Sequence, residues 1–282
     1  MDRRGFLLSG TVAAAGSRGL ATGSASQPAL VIENQPPVEA RVRLVFAGSA
    51  FPTWIQEAIA QLRGRLAVEV LRWVPVDGGN LAVPEGFPAA PIDVDNRQEL
   101  QRALALREAV VICVPEVGAI PPAARVEEAT RRTYQLLQAA VAAGVKGCLL
   151  VSTLRMFELY DEDFLVDEDW RPRAVDDEHG LAEYLAEFVC REFAREKLLR
   201  VLVLRVGRVM DRVPPPAEAR RLGWVLRADA IEALQRAAEA VASDKRERWR
   251  WWTCLHIGGR CPPARFPTTR AQKLIGYRPT NG

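Results

Sequence analysis

The sequence predicts an α/β protein with a doubly wound parallel sheet and a small C-terminal α/β appendage. Three observations carry this reading. Short continuous apolar runs are rich in β-branched residues, amphipathic helical patterns separate them, and 282 residues with 49% hydrophobic and 26% charged side chains are enough for one large core. Unbroken apolar runs are what strands covered on both faces require, and their alternation with helices gives parallel βαβ units. The first run, 41–47 (RVRLVFA), ends at Gly48 and leads into a helix marked by Ile55, Ile59 and Leu62. A strand over 66–76 follows, then a helix over 96–106 with Leu100, Ala103 and Leu104 on one face. The run 109–114 (AVVICV) reads as a buried strand, 126–143 as a long helix and 146–152 (KGCLLVS) as another buried strand. A helix over 182–196 and a strand over 200–206 complete a Rossmann-like unit spanning 41–210, which leaves 211–282 as a smaller C-terminal, substrate-type subdomain.

The N-terminus reads as an address. Met1-Asp2-Arg3-Arg4-Gly5-Phe6-Leu7-Leu8 opens a short apolar stretch over 6–16, and a small-residue region ends at Ala25. That is the layout of a secretory signal over 1–25, and Arg3-Arg4 ahead of Phe6-Leu7 resembles the twin-arginine motif. The expected destination is periplasmic or otherwise extracytoplasmic. The apolar stretch is too short to span a bilayer. Residues 26–40, with Pro28, Pro36 and Pro37, read as a linker.

Composition excludes several functions. A net charge of +3, spread evenly, is not that of a dedicated nucleic-acid binder. Only two histidines are present, and the five cysteines (113, 148, 190, 254, 261) show no Cys-x-x-Cys spacing, so no metal site is expected. Cysteines in apolar runs are small core residues.

Several segments, in order, resemble the extended short-chain dehydrogenase/reductase family, the NAD-dependent epimerases and dehydratases. TYQLLQAAVAAGVKGCLLVS (133–152) is similar to its helix leading into a strand that ends in serines. Val166-Asp167-Glu168-Asp169 with Pro172 resembles its acidic loop, and EFVCREFARE (187–196) before VLVLRVGRV (201–209) resembles a later helix–strand pair. Asp93 fits the acid after the third strand and Asp229 the acid opening a late helix. His256-Ile257-Gly258-Gly259 and AQKLIGYRP (271–279) resemble the closing motif. The resemblance implies a dinucleotide on the first turn, with Gly48 and Asp93 as cofactor contacts. It also implies catalytic groups at Ser152 or Thr153, the carbonyl donor, and at 179 and 183, where the family carries Tyr-x-x-x-Lys.

The departures fall on the chemistry. The family's first turn has three glycines, so that backbone can close on a pyrophosphate at a helix N-terminus. Here Gly48 is followed at that spacing by Phe51 and Trp54, and Asp77 is the only acid near the end of the second strand. His179 stands at the tyrosine position and Glu183 at the lysine position, four residues apart on one helix face. An imidazole can act as a base near neutral pH, but a carboxylate cannot replace the ammonium. Neither Tyr160 nor Tyr184 has a lysine four residues on.

Two readings follow. One is a catalytically degenerate, exported family member, a non-catalytic binding or assembly module with no NAD(P) or only weak NAD(P) binding. The other is an active NAD(P)-dependent oxidoreductase or epimerase on a sugar or sugar nucleotide, with His179 as base beside Glu183. Expected partners are a small-molecule or sugar ligand, and a protein partner or second copy docked on the helices over 126–143 and 182–196. No nucleic-acid partner and no membrane span are expected. The cluster Arg248-Trp249-Arg250-Trp251-Trp252 reads as packing under a late strand, with stacking on a sugar, a base or a partner protein as the alternative.

Overall fold

A computed structural model describes residues 43–73, 89–116, 118–173, 178–215, 218, 223–243, 246–247, 249–260 and 265–280, excepting the side chains of Glu178 and His179. The expected signal over 1–25, the linker over 26–40 and Asp77 lie outside the described residues.

Seven parallel strands form one sheet in the order β3-β2-β1-β4-β5-β6-β9. The central four are β1 (Arg43–Gly48), β4 (Ala109–Cys113), β5 (Gly147–Thr153) and β6 (Arg200–Val206). β2 (Ala67–Trp73) and β3 (Ala90–Ile92) lie on one side, and β9 (Trp252–Ile257) forms the far edge beside β6. Alternate residues go to opposite faces. Leu44 and Phe46 join a core with α1 (Thr53–Leu62) and α6 (Arg227–Ala242). Val45 and Ala47 join a second core with α2 (Arg97–Leu104), α4 (Thr133–Ala142) and α5 (Glu178–Arg195). Helices therefore cover both faces, as the unbroken apolar runs require. The strand order reverses between β1 and β4, so a crevice opens at the carboxyl ends of these strands.

The long helix expected over 126–143 begins earlier. α3 (Pro122–Glu127) starts on Pro122, whose missing N–H is harmless in a first turn, and continues through a π-helical turn, Glu128–Arg132, into α4. Gly144, with φ of 81°, ends it. Three strands of three residues escaped the sequence pattern: β3, and the parallel pair β7 (Arg208–Met210) and β8 (Trp224–Leu226).

The expected subdomain over 211–282 is not set apart from the sheet. Residues 40–282 form one compact unit, because β9 is the seventh strand and α6 fills the core between sheet and α1. Short α7 (Thr269–Ile275) lies against β9 and α6. Asp229 at the start of α6 accepts hydrogen bonds from the backbone N–H (3.2 Å) and hydroxyl (2.6 Å) of Thr280, tying the C-terminal segment down.

Candidate functional site

The crevice at the carboxyl edge begins with the turn after β1. A side chain at Gly48 would put Cβ 2.8 Å from the Cys113 carbonyl oxygen, so glycine lets β1 and β4 close together. The turn is then filled from within. Phe51 and Trp54 are buried, with the Phe51 ring against Gly48. Pro52 stands where the helix would be capped and brings no N–H. Ser49 donates its backbone N–H to Glu128 Oε1 (2.8 Å) and its hydroxyl to Oε2 (2.7 Å). The π-helical turn carries Glu128 to this point. Burial pushes its carboxyl pKa up, and the two Ser49 bonds, Trp73 and the Arg132 charge oppose that.

In dinucleotide sites the phosphates take first-turn amides and the helix N-terminus. Here a carboxylate already holds the Ser49 amide, and aromatic rings crowd the helix start. Asp93, the second expected cofactor contact, is exposed and accepts from the Asp95 N–H at 2.9 Å, a local turn ahead of α2 and its Asn96 cap.

The expected catalytic residues are drawn into separate pairs. Ser152, at the end of β5, is buried and donates to Glu187 Oε1 at 2.7 Å. Arg205 sits opposite Ser152 in the β5–β6 register and reaches the same carboxylate with Nε (2.9 Å) and Nη2 (2.8 Å). Thr153 accepts from the Arg155 N–H at 3.2 Å, capping the 3₁₀ turn Leu154–Phe157. Glu183 precedes Glu187 by one turn of α5, so both acids leave the same flank of the helix. Its Oε1 accepts from Arg125 Nη2 at 2.5 Å, and Arg125, itself buried, also donates Nε to the Pro115 carbonyl at 2.6 Å. Glu183 is half-buried in the crevice against a cation from α3. Burial pushes its pKa up to about 7, against the opposing Arg125 and Arg155 charges. The His179 side chain lies outside the described residues.

These elements enclose a cleft of about 340 Å³ whose walls include Trp54, Val114, Glu116, Arg125, Thr153 and Glu183. Glu116, after β4, is raised by burial as well, with Arg125 and Arg227 opposing. Sequence patterns missed Arg125 and Glu128. Arg205 stood in a recognisable strand, but nothing local named its partner.

Among the described residues no cluster of His, Cys, Asp and Glu could hold a metal ion. Cys113, Cys148, Cys190 and Cys254 are buried and free, and no described helix is long and apolar enough to cross a membrane. The tryptophan cluster is structural in part. Trp249 is buried, its carbonyl accepts from Arg200 Nη1 at 2.7 Å, and the Arg200 guanidinium lies 4.3 Å from the Trp251 ring centre.

No protein-family model matches the chain, and no curated protein matches it significantly. Solved structures do. A glucuronic acid dehydrogenase from Chromohalobacter salexigens superposes with a TM-score of 0.63 at 18% identity, over 86% of this chain and 85% of that one. A UDP-galactose 4-epimerase gives 0.60 at 19% identity, over 84% and 93%. The dTDP-glucose 4,6-dehydratase DesIV from Streptomyces venezuelae, solved with NAD and TYD bound, gives 0.63 at 18% identity, over 85% and 92%. At such identities the likeness is one of architecture: the chain has the Rossmann-like α/β fold that these sugar-modifying dehydrogenases, epimerases and dehydratases share.

Proposed function

We propose that this chain is an exported, catalytically degenerate member of the extended short-chain dehydrogenase/reductase family. In this reading it has lost dinucleotide binding and hydride transfer and serves as a binding module for a small molecule. The observation that carries the reading is the Ser49–Glu128 pair, in which a buried carboxylate occupies the first-turn amide and hydroxyl. Two further features support it. The Ser152 hydroxyl is committed to Glu187, away from any substrate carbonyl, and a carboxyl group stands where the family's chemistry needs an ammonium. The fold's neighbours act on sugars and sugar nucleotides by their names, which makes a sugar-sized ligand the natural occupant of the cleft. Export rests on the Arg3-Arg4 pattern and the small-residue region ending at Ala25. Pairing of two copies through α4 and α5 is supported by exposed Tyr134, Phe188 and Leu198.

The test is turnover. The full chain is incubated with NAD⁺ or NADP⁺ and, in turn, glucuronate, UDP-galactose and dTDP-glucose, following reduced nicotinamide by absorbance and sugar products by chromatography. The expected result is no conversion. Conversion that is lost in His179→Ala contradicts the proposal and establishes the active-enzyme alternative.

A further inference from the structure

The cleft holds an unmet hydrogen-bond demand. Glu183 gives Oε1 to Arg125, whereas its Oε2 is buried and meets no donor among the described residues. A buried carboxyl oxygen without a donor destabilises the site until one arrives. Glu116 opens into the same cleft from the loop after β4. The groups around Glu183 come from every neighbouring element: Arg125 from α3, Arg155 after β5, Ser152 and Thr153 at the end of β5, and Arg208 at the exposed rim. Arg155 also faces Glu158 at 3.8 Å. Arg125 therefore faces both acids, Arg155 also faces Glu183, and Arg227 from α6 also faces Glu116; burial raises both carboxyl pKa values against these charges. Trp54 and Val206 also line the cleft and offer apolar surface.

We propose that this cleft binds a small ligand bearing a protonated amine, with Glu183 Oε2 and the Glu116 carboxylate accepting the ammonium and Trp54 lying against the ligand's carbon skeleton. The inference rests on reading the crevice as a ligand site rather than a hydride-transfer site. An ammonium carries three donors, one of which meets the orphan oxygen. A nearby cation favours an ionised carboxyl, so binding expels the proton that Glu183 holds near neutral pH, and affinity rises with pH through that range. An anionic ligand does the reverse, and a neutral polyol supplies donors without charge.

Glucamine, sorbitol and gluconate share a six-carbon hydroxylated chain and end in an ammonium, a hydroxyl and a carboxylate. Titrated into the full chain by calorimetry in an amine-free buffer, glucamine is expected to bind at least ten-fold more tightly than sorbitol. Gluconate should give no heat. Glucamine affinity should increase from pH 6 to pH 8, with proton release. Glu183→Gln keeps an oxygen for Arg125 and removes the charge. It should weaken glucamine at least ten-fold and flatten the pH dependence while circular dichroism stays native. If that variant does not fold, Glu116→Gln must weaken glucamine several-fold. Gluconate binding as well as glucamine, unchanged glucamine affinity in the folded variant, or no glucamine binding overturns the proposal. These outcomes are independent of dinucleotide binding: failure of glucamine removes the amine alone, whereas tight NAD⁺ binding removes the degenerate reading beneath it.

Discussion

Glu187→Ala removes the acceptor of three hydrogen bonds in one step. Arg205 Nε and Nη2 donate to its two oxygens at 2.9 and 2.8 Å, and the Ser152 hydroxyl donates to Oε1 at 2.7 Å. Burial works against the Arg205 charge, but the Glu187 carboxylate overrides it and holds the guanidinium pKa above its usual value. Without that carboxylate, Arg205 keeps the Glu168 carbonyl at 3.1 Å and the Phe157 ring face, with its buried charge left to the weaker field of the Glu168 carboxylate. Breaking one side of a buried ion pair costs about 3–5 kcal/mol. The stranded Ser152 hydroxyl adds about 1 kcal/mol. A total of about 4–6 kcal/mol is a large part of a typical domain's stability. Urea unfolding of the full chain, followed by circular dichroism at neutral pH, measures it, with the m-value checking that the transition keeps its character. Replacing both partners, Glu187→Leu with Arg205→Met, removes the unbalanced charge and should return most of the loss. A cost below about 1 kcal/mol for Glu187→Ala, or a double variant as unstable as the single one, refutes the reasoning.

Other substitutions probe the same structure. Gly48→Ala places a methyl 2.8 Å from the Cys113 carbonyl in a strand that cannot retreat, and should cost about 1–3 kcal/mol by denaturation. Glu128→Ala leaves the Ser49 N–H and hydroxyl without their acceptor and should cost about 1.5–3 kcal/mol, since both bonds go to a carboxyl group. Glu183 binds its proton more tightly folded, near pH 7, than unfolded, near pH 4.5, so the folded state holds the extra proton between those values. Stability therefore falls as pH rises through that window, by about 3 kcal/mol, and Glu183→Gln should abolish that fall in urea titrations at several pH values. His256 acts on the acid side. It is buried between Phe157 and Phe266, and burial, with the Arg205 and Arg270 charges, depresses its pKa well below the usual value. The unfolded chain gains that proton first, so stability drops as pH falls below about 6.5, and His256→Phe should lessen the drop.

The sheet was legible because strands such as Ala109–Cys113 and Arg200–Val206 are covered on both faces and so read as unbroken apolar runs. β3, β7 and β8 were not, because three residues are too few to establish a period. The helix start at Pro122 lies four residues before the expected one, since proline fits a first helical turn. For the site, Phe51 and Trp54 on the first turn were readable as an obstacle to phosphate, and the structure adds what fills the place. That filler, Glu128, lies 79 residues from Ser49 and reaches it only through the π-helical turn, which leaves no sequence signature. Glu183 was placed on the correct helix, but its cation comes from Arg125, 58 residues earlier in the chain. Spacing finds which residues share a face; a long-range partner needs the packed fold.

In the proposed reading, Glu128, Phe51 and Trp54 close the first turn to a dinucleotide. Calorimetric titration of the full chain with NAD⁺, NADH, NADP⁺ and NADPH, on protein first extracted and checked for co-purified nucleotide, tests it most directly. The expected result is no carried nucleotide, no heat and no change in melting temperature at millimolar cofactor. Micromolar binding, or a dinucleotide retained through purification, contradicts it.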